Sequence, residues 1–124
     1  MEKLPVLYIV IPCYNEQQVL PVTAPMFLQK LRDLMAANLI APGSRAVFVN
    51  DGSKDDTWPI IRDLAAKEEL AEGICLSRNR GHQNALLGGL LTVKDRCDIT
   101  ISIDCDGQDD INAMDEMVKA YLDG

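Results

Sequence analysis

The sequence predicts an α/β fold with a mostly parallel sheet of about four strands. Four short apolar runs rich in β-branched residues are each followed by a longer segment with helical spacing of its apolar residues. The composition, with 48% apolar and 25% charged residues, is that of a globular protein rather than a disordered one. Because strands that alternate with helices form parallel sheets with right-handed crossovers, we expect this architecture here.

The four predicted strands are runs of Val, Ile and other apolar residues. They are VLYIVI at 6–11, AVFV at 46–49, GICL at 73–76 and ITISI at 99–103. Ligands of such sheets bind beyond the carboxyl ends of the strands. The polar loop that follows each run is therefore where a functional site is expected.

Two helices are predicted in the first half of the chain. The first has one apolar face over 27–39, reaches about Asn38 and is ended by Pro42-Gly43. The second starts in the cluster at 55–57, whose side-chain oxygens can cap a helix, with Pro59 in its first turn.

Two more helices are predicted at about His82–Lys94 and Ile111–Leu122. The chain has 124 residues, within the usual size of one domain, and no Gly/Ser/Pro linker divides it. We therefore expect one domain or part of one.

Charge and cysteine usage exclude several classes of protein. The net charge of −7 argues against nucleic-acid binding, which needs a basic face. The four cysteines are far apart and form no CxxC pair, so we expect reduced thiols and an intracellular, cytoplasmic protein. No apolar stretch approaches the ~20 residues of a membrane helix.

Asp51 is expected to follow the second strand, since it comes after Asn50 at the end of the second apolar run, and Gly52-Ser53 come next. These residue types are common in turns, and a simple turn is one interpretation. At the end of a buried strand, however, a carboxylate can accept a hydrogen bond from a nucleobase N–H, and Gly52 allows a ligand to approach the backbone. The position favours a binding role.

Asp104 and Asp106 flank Cys105 at the end of the fourth run. Like charges this close repel unless a cation lies between them, and carboxylate oxygens suit a hard ion such as Mg²⁺ or Mn²⁺. The spacing of glycine and acidic residues does not fit an EF-hand calcium loop. A solvated acidic surface is the alternative.

His82 is the only histidine of the chain. A lone histidine is more often a packing or helix-start residue than a catalyst. With Arg78 and Arg80 it nevertheless forms the densest positive charge of the chain, at the expected start of a helix, where anions are stabilised. Anion binding and a solvated basic turn both remain open for this segment.

Two other classes of protein share part of this pattern. Haloacid-dehalogenase-type phosphotransferases also place an Asp-x-Asp-Gly loop after an apolar strand, which would make Asp104 a nucleophile. A receiver-like signalling domain has a similar length and β-α alternation. It should carry an acidic pair after the first strand, where this chain offers only Glu16.

Four motifs together resemble the inverting family-two glycosyltransferases of the GT-A type, and among these the dolichyl- and bactoprenyl-phosphate sugar transferases. The motifs are IVIPCYNE at 9–16, VNDGSKDDT at 49–57, LSRNRGHQNALLGGL at 76–90 and ISIDCDGQ at 101–108. The resemblance implies a Rossmann-like β-α-β sandwich that forms the nucleotide-binding half of a GT-A fold.

The resemblance also implies roles for individual residues. Those matching the nucleotide pocket are Pro12, Tyr14, Glu16, Asp51, His82 and Asp104, with Asp51 at the base. Those matching the metal and diphosphate motif are Asp104, Asp106 and Gln108. The metal would be Mg²⁺ or Mn²⁺.

The implied reaction is sugar transfer, with inversion, from a nucleoside-diphosphate sugar to an acceptor such as a polyprenyl phosphate. Enzymes of this kind act in cell-envelope polysaccharide biosynthesis. Residues 1–124 would be the nucleotide-sugar-binding part of a catalytic domain that is incomplete at its C-terminus, inactive alone and able to self-associate. The catalytic base is expected beyond Gly124, and the longer parent protein at the cytoplasmic face of a membrane.

Overall fold

The computed structural model describes residues 4–76, 98–103, 105 and 113–123. The elements in chain order are β1 (Leu7–Cys13), α1 (Leu20–Ala36), β2 (Arg45–Asp51), α2 (Thr57–Lys67), β3 (Ala71–Leu76), β4 (Ile99–Ser102) and α3 (Ala113–Asp123). The predicted helix at His82–Lys94 and the predicted start of the last helix at Ile111 lie outside the described residues. Among the described residues, no helix combines the length and apolar character needed to cross a bilayer.

The four described strands form one sheet in the order β3-β2-β1-β4, and all of the pairs are parallel. The expected α/β class and parallel sheet are confirmed. The chain moves outward from β1 to β2 and β3, and β4 then lies on the opposite side of β1. The strand order therefore reverses between β1 and β4, and such a reversal opens a crevice at the carboxyl edge where ligands of α/β sheets bind.

The hydrophobic core lies on both faces of the sheet. On one face, Ile9 of β1 and Phe48 of β2 belong to a large buried cluster that includes Phe27 of α1 and Val118 of α3. The rings of Phe27 and Phe48 are tilted with their centroids 6.4 Å apart, a favourable aromatic geometry. A smaller buried cluster on the other face is formed by Tyr8, Val10, Val47 and Val49.

Strand bounds differ from those expected because the parallel ladder continues past the apolar runs. β1 pairs with β2 as far as Cys13 and Asn50, so both strands extend into the motifs that were expected to be loops. β3 begins at Ala71, two residues earlier than expected, and β4 ends at Ser102, one residue earlier.

The end of α1 is set by Asn38 and not, as expected, by Pro42-Gly43. Asn38 has φ 59°, in the left-handed region that Asn tolerates better than most residues. The N–H of Leu39 donates to the carbonyl of Leu34, and the N–H of Asn38 donates to that of Met35. This pair of bonds is a Schellman motif, which satisfies the last carbonyls of the helix.

Candidate functional site

The carboxyl ends of β1, β2 and β4 meet at one edge of the sheet. β1 ends at Cys13 and is followed by the loop 14–19, and β2 ends at Asp51 and is followed by the loop 52–56. Because β1 is paired with both β2 and β4, its loop lies between the ends of the other two strands. The crevice at the strand-order reversal is therefore bounded by the loop 14–19.

Pro12 is a buried residue of β1. The expectation that it belongs to the loop after the strand is wrong. It pairs with Val49 in the parallel ladder, which is why the strand does not stop at the proline. Tyr14 and Glu16 do lie in the loop after the strand, with Tyr14 exposed and Glu16 half-buried. Of the three residues expected from this motif, Tyr14 and Glu16 are thus the ones accessible at the edge.

Asp51 is the last residue of β2 and is only 2% exposed. The expectation that it follows the strand is corrected, since it still pairs with Leu76 of β3. Gly52 comes next with φ 69°, a left-handed conformation that glycine adopts without steric cost. This turn ends the strand directly after a buried carboxylate at the carboxyl edge of the sheet.

Hydrogen bonds tie the loop after β1 to the loop after β2, and sequence reasoning missed them. We call these contacts the loop clamp; it consists of residues 15–17 and 53–57. The backbone N–H groups of Asn15, Glu16 and Gln17 donate to side-chain oxygens of Ser53, Thr57 and Asp55, at 2.9, 2.7 and 3.3 Å. In return, the side chains of Asn15 and Gln17 accept from the N–H groups of Lys54 and Asp56, both at 2.9 Å.

The signal for the clamp in the sequence is the density of Asn, Ser, Asp and Thr, which favour local side chain to backbone bonds. The cluster at 55–57 was expected to cap α2. α2 does begin at Thr57, but its N-cap residue Asp56 makes no capping side-chain bond. Asp55 accepts the N–H of Thr57 at the start of α2, and both Asp55 and Thr57 also direct oxygens across to the first loop.

Asp55 is the charged hydrogen-bond acceptor of the clamp. Partial burial works against ionisation, but hydrogen bonds donated by the hydroxyl and the N–H of Thr57 and by the N–H of Gln17 lower the pKa of the Asp55 carboxyl. Hydrogen bonds to an ionised acceptor are stronger than those between neutral groups. The ionised carboxylate is therefore the form that holds the two loops.

Cys105 is the one residue of the segment 104–108 that the structure describes. It is 3% exposed and belongs to the same buried cluster as Cys13. Two effects raise the pKa of the Cys13 thiol: the larger is a hydrogen bond with the Cys105 thiol, and the second is burial. Cys105 thus lies in the core next to the end of β1.

Asp104, Asp106, Gln108 and His82 lie outside the described residues. Within the described part of the chain, no group of three or more His, Cys, Asp and Glu side chains is placed to hold a metal. In the sequence, Asp104 and Asp106 are the neighbours of the buried Cys105, and their residue type carries the oxygens that hard cations prefer.

Comparison with known proteins gives a consistent result. The model of the family "Glycosyl transferase family 2" matches residues 8–124. The uncharacterized glycosyltransferase YkoT of Bacillus subtilis (strain 168) is 43% identical over 120 residues, covering 97% of this chain and 36% of that protein. The bactoprenol glucosyl transferase of Shigella phage SfV is 34% identical over 116 residues, covering 94% and 35%.

Among solved structures, the mannosyltransferase PcManGT from Pyrobaculum calidifontis, in complex with GDP-Man and Mn²⁺, is similar with a TM-score of 0.58. The match covers 83% of this chain and 28% of that one, at 23% sequence identity, and shows a shared fold. The present chain spans about a third of the length of these curated relatives.

Proposed function

The chain belongs to glycosyl transferase family 2, and on that premise we propose that it binds the nucleotide sugar for an inverting sugar transfer to a polyprenyl phosphate. In this reaction an acceptor phosphate oxygen bonds to the anomeric carbon from the side opposite the nucleoside diphosphate. The bond from that carbon to the diphosphate oxygen breaks, and the nucleoside diphosphate leaves. The phosphotransferase and receiver interpretations are not supported, because the family match extends over residues 8–124.

The observation that carries this proposal is the position of Asp51. A buried carboxylate at the ligand-binding edge, followed by a glycine turn, is suited to accept a hydrogen bond from a nucleobase N–H. Tyr14 and Glu16, on the neighbouring loop, complete the wall of the nucleotide pocket in this proposal.

The proposed metal ligands are Asp104, Asp106 and Gln108, which would hold Mg²⁺ or Mn²⁺. When bound, the cation supplies charge that offsets the negative charge on the leaving diphosphate. His82 is proposed to contact the nucleotide. The metal assignment is supported by the oxygen-rich residue types and by the structurally similar mannosyltransferase, which was solved with Mn²⁺.

The acceptor is proposed from the relative described as a bactoprenol glucosyl transferase. A polyprenyl phosphate is a membrane lipid, whereas nucleotide sugars are water-soluble. We therefore place the longer parent protein at the cytoplasmic face of a membrane, in cell-envelope polysaccharide biosynthesis.

Residues 1–124 are proposed to be the nucleotide-sugar-binding part of the catalytic domain. The longer relatives are in line with a catalytic base and acceptor groove beyond Gly124. We expect the chain to bind but not to transfer sugar by itself. The apolar side chains of Met117, Tyr121 and Leu122 are exposed on α3, and we propose that they favour self-association of the isolated chain.

Calorimetry with UDP-glucose and GDP-mannose, with and without Mn²⁺, tests the proposal. We expect binding of at least one of them that strengthens with Mn²⁺ and loses this dependence in Asp106→Ala. Asp109→Ala is the matched control, since it removes the same charge from the same segment. Binding by neither sugar nucleotide would contradict the proposed function, and equal effects of both variants would contradict the metal assignment.

A further inference from the structure

The loop clamp continues the contact between β1 and β2 beyond the point where their backbone pairing stops. The last paired residues of the ladder are Cys13 with Asn50 and, on the other side of β2, Asp51 with Leu76. From Asn15 onward, side chains replace the backbone as hydrogen-bonding partners. The clamp therefore determines where the first loop lies relative to the buried Asp51.

Thr57 is the center of the clamp. Thr57 is 0% exposed, and its hydroxyl donates its single hydrogen to Asp55 Oδ1. A hydroxyl has one hydrogen and two lone pairs, so this donation leaves a lone pair free to accept the Glu16 N–H, at 2.7 Å. Asp55 thus fixes the direction of the Thr57 hydroxyl, and the hydroxyl fixes the backbone of Glu16.

Asp55 connects to the first loop independently. Its Oδ1 accepts the Thr57 N–H at 3.0 Å, and its Oδ2 accepts the Gln17 N–H at 3.3 Å. One carboxylate thereby orders the start of α2 and the loop after β1 together. A shift of either loop would break bonds in both.

Most of the clamp contributes little to global stability. The bonds of Asn15 and Gln17 to the second loop are exposed, so water can replace them at low cost. Their joint effect is on loop position: Asn15, at φ 52° in the left-handed region that Asn tolerates, bonds to the second loop through both its N–H and its side-chain oxygen. An exposed network that fixes a loop at the carboxyl edge of the sheet points to preorganisation.

We infer that Thr57 and Asp55 are positioning residues that hold Tyr14 and Glu16 in the nucleotide-binding arrangement before the ligand arrives. This inference rests on the proposed function. A loop that is already ordered loses less entropy on binding, so Thr57 and Asp55 increase affinity without themselves contacting the ligand. Neither residue is a catalytic residue in this role.

The test combines hydrogen exchange with ligand binding in the 124-residue chain. Thr57→Val keeps the branched shape but removes the hydroxyl, and Thr57→Ser retains it. We expect Thr57→Val to speed amide exchange at residues 15–17 and to weaken Mn²⁺-dependent binding of UDP-glucose or GDP-mannose by about tenfold, or ~1.4 kcal/mol. Thr57→Ser should have the exchange rate and the affinity of the wild-type chain. Gln29→Ala, which removes an exposed hydrogen bond on α1, should also change neither property.

The outcomes separate the inference from the proposed function. Unchanged exchange at residues 15–17 in Thr57→Val would overturn the inference, as would faster exchange with unchanged binding. A wild-type chain that binds neither sugar nucleotide would overturn the proposed function and, with it, the role of the clamp in binding. If Thr57→Val does not fold, Asp55→Asn replaces it, with the same expected direction for both measurements.

Discussion

Gly73 of β3 lies so close to Ile61 of α2 that a Cβ at position 73 would be 2.7 Å from Ile61 Cγ2. The ring of Trp58 would be the next contact, at 3.3 Å from Trp58 Cζ3. Glycine is needed here because α2 packs directly on β3. The first residue of α2 is Thr57, which belongs to the loop clamp. The placement of α2, and through it of Thr57, thus depends on a residue with no side chain.

We expect Gly73→Ala to destabilise the fold by ~1–3 kcal/mol through overpacking, measured by urea denaturation. Gly43→Ala is the matched control, since its added Cβ would meet Val6 Cγ2 at an ordinary 3.8 Å. In an Ile61→Ala background the cost of Gly73→Ala should shrink, because the clashing methyl group is gone. An equal cost in both backgrounds would show that the close contact with Ile61 is not the cause.

Asp51 is predicted to act on the base and not on the phosphates. Asp51→Ala should weaken binding of the nucleoside diphosphate by ~1–3 kcal/mol, the cost of leaving a buried polar partner unpaired. Binding of inorganic pyrophosphate should not change, and calorimetry with both ligands measures the difference. Equal losses for the two ligands would move Asp51 to the phosphate end of the site.

Asp55 is predicted to keep the clamp closed to a lower pH than a carboxyl group of ordinary pKa would. Its folded-state pKa is lowered, so the contribution of its carboxylate is complete above the ordinary value of about 3.9 and disappears as the pH falls through the lowered value. NMR titration of the Gln17 amide should therefore show a midpoint below about 3.9. Asp55→Asn should abolish this transition; a midpoint at or above the ordinary value would contradict the assignment.

Cys13 and Cys75 are predicted to differ in reactivity. Cys75 is exposed and should be modified by a thiol reagent in the native state, whereas the buried Cys13 should be protected. Peptide mapping after labelling distinguishes them. Labelling of Cys13 at the same rate as Cys75 would mean that the end of β1 opens readily.

The raised pKa of Cys13 also predicts a loss of stability at alkaline pH. The folded state retains the Cys13 proton when the unfolded thiol has ionised, so the free energy of unfolding should fall as the pH rises above about 8.5. Urea denaturation as a function of pH measures the slope. Cys13→Ala should flatten it, and an unchanged slope would assign the effect to another group.

The sequence was sufficient for the class of fold and for placing the loops after β1 and β2 at the carboxyl edge of the sheet. Strand runs and helical periodicity are local properties, so four β-α units could be read from them without knowing how the strands pair. Tyr14, Glu16 and Asp51 were predicted from motifs and do lie at the carboxyl edge of the sheet. Strand bounds were less accurate because Pro12, Cys13 and Asn50 are held in strands by partners on neighbouring strands and not by their own propensity.

Only the tertiary structure decided two features of the site. The first is the reversal of strand order between β1 and β4, since pairing of Leu7 with Ile99 joins residues that are distant in the chain. The second is the loop clamp, in which Glu16 and Thr57 are 41 positions apart. Side-chain oxygens such as those of Asp55 and Thr57 have several partners within reach of their own turn. Which partner they take depends on where the sheet brings the neighbouring loop, and that position is a property of the whole fold.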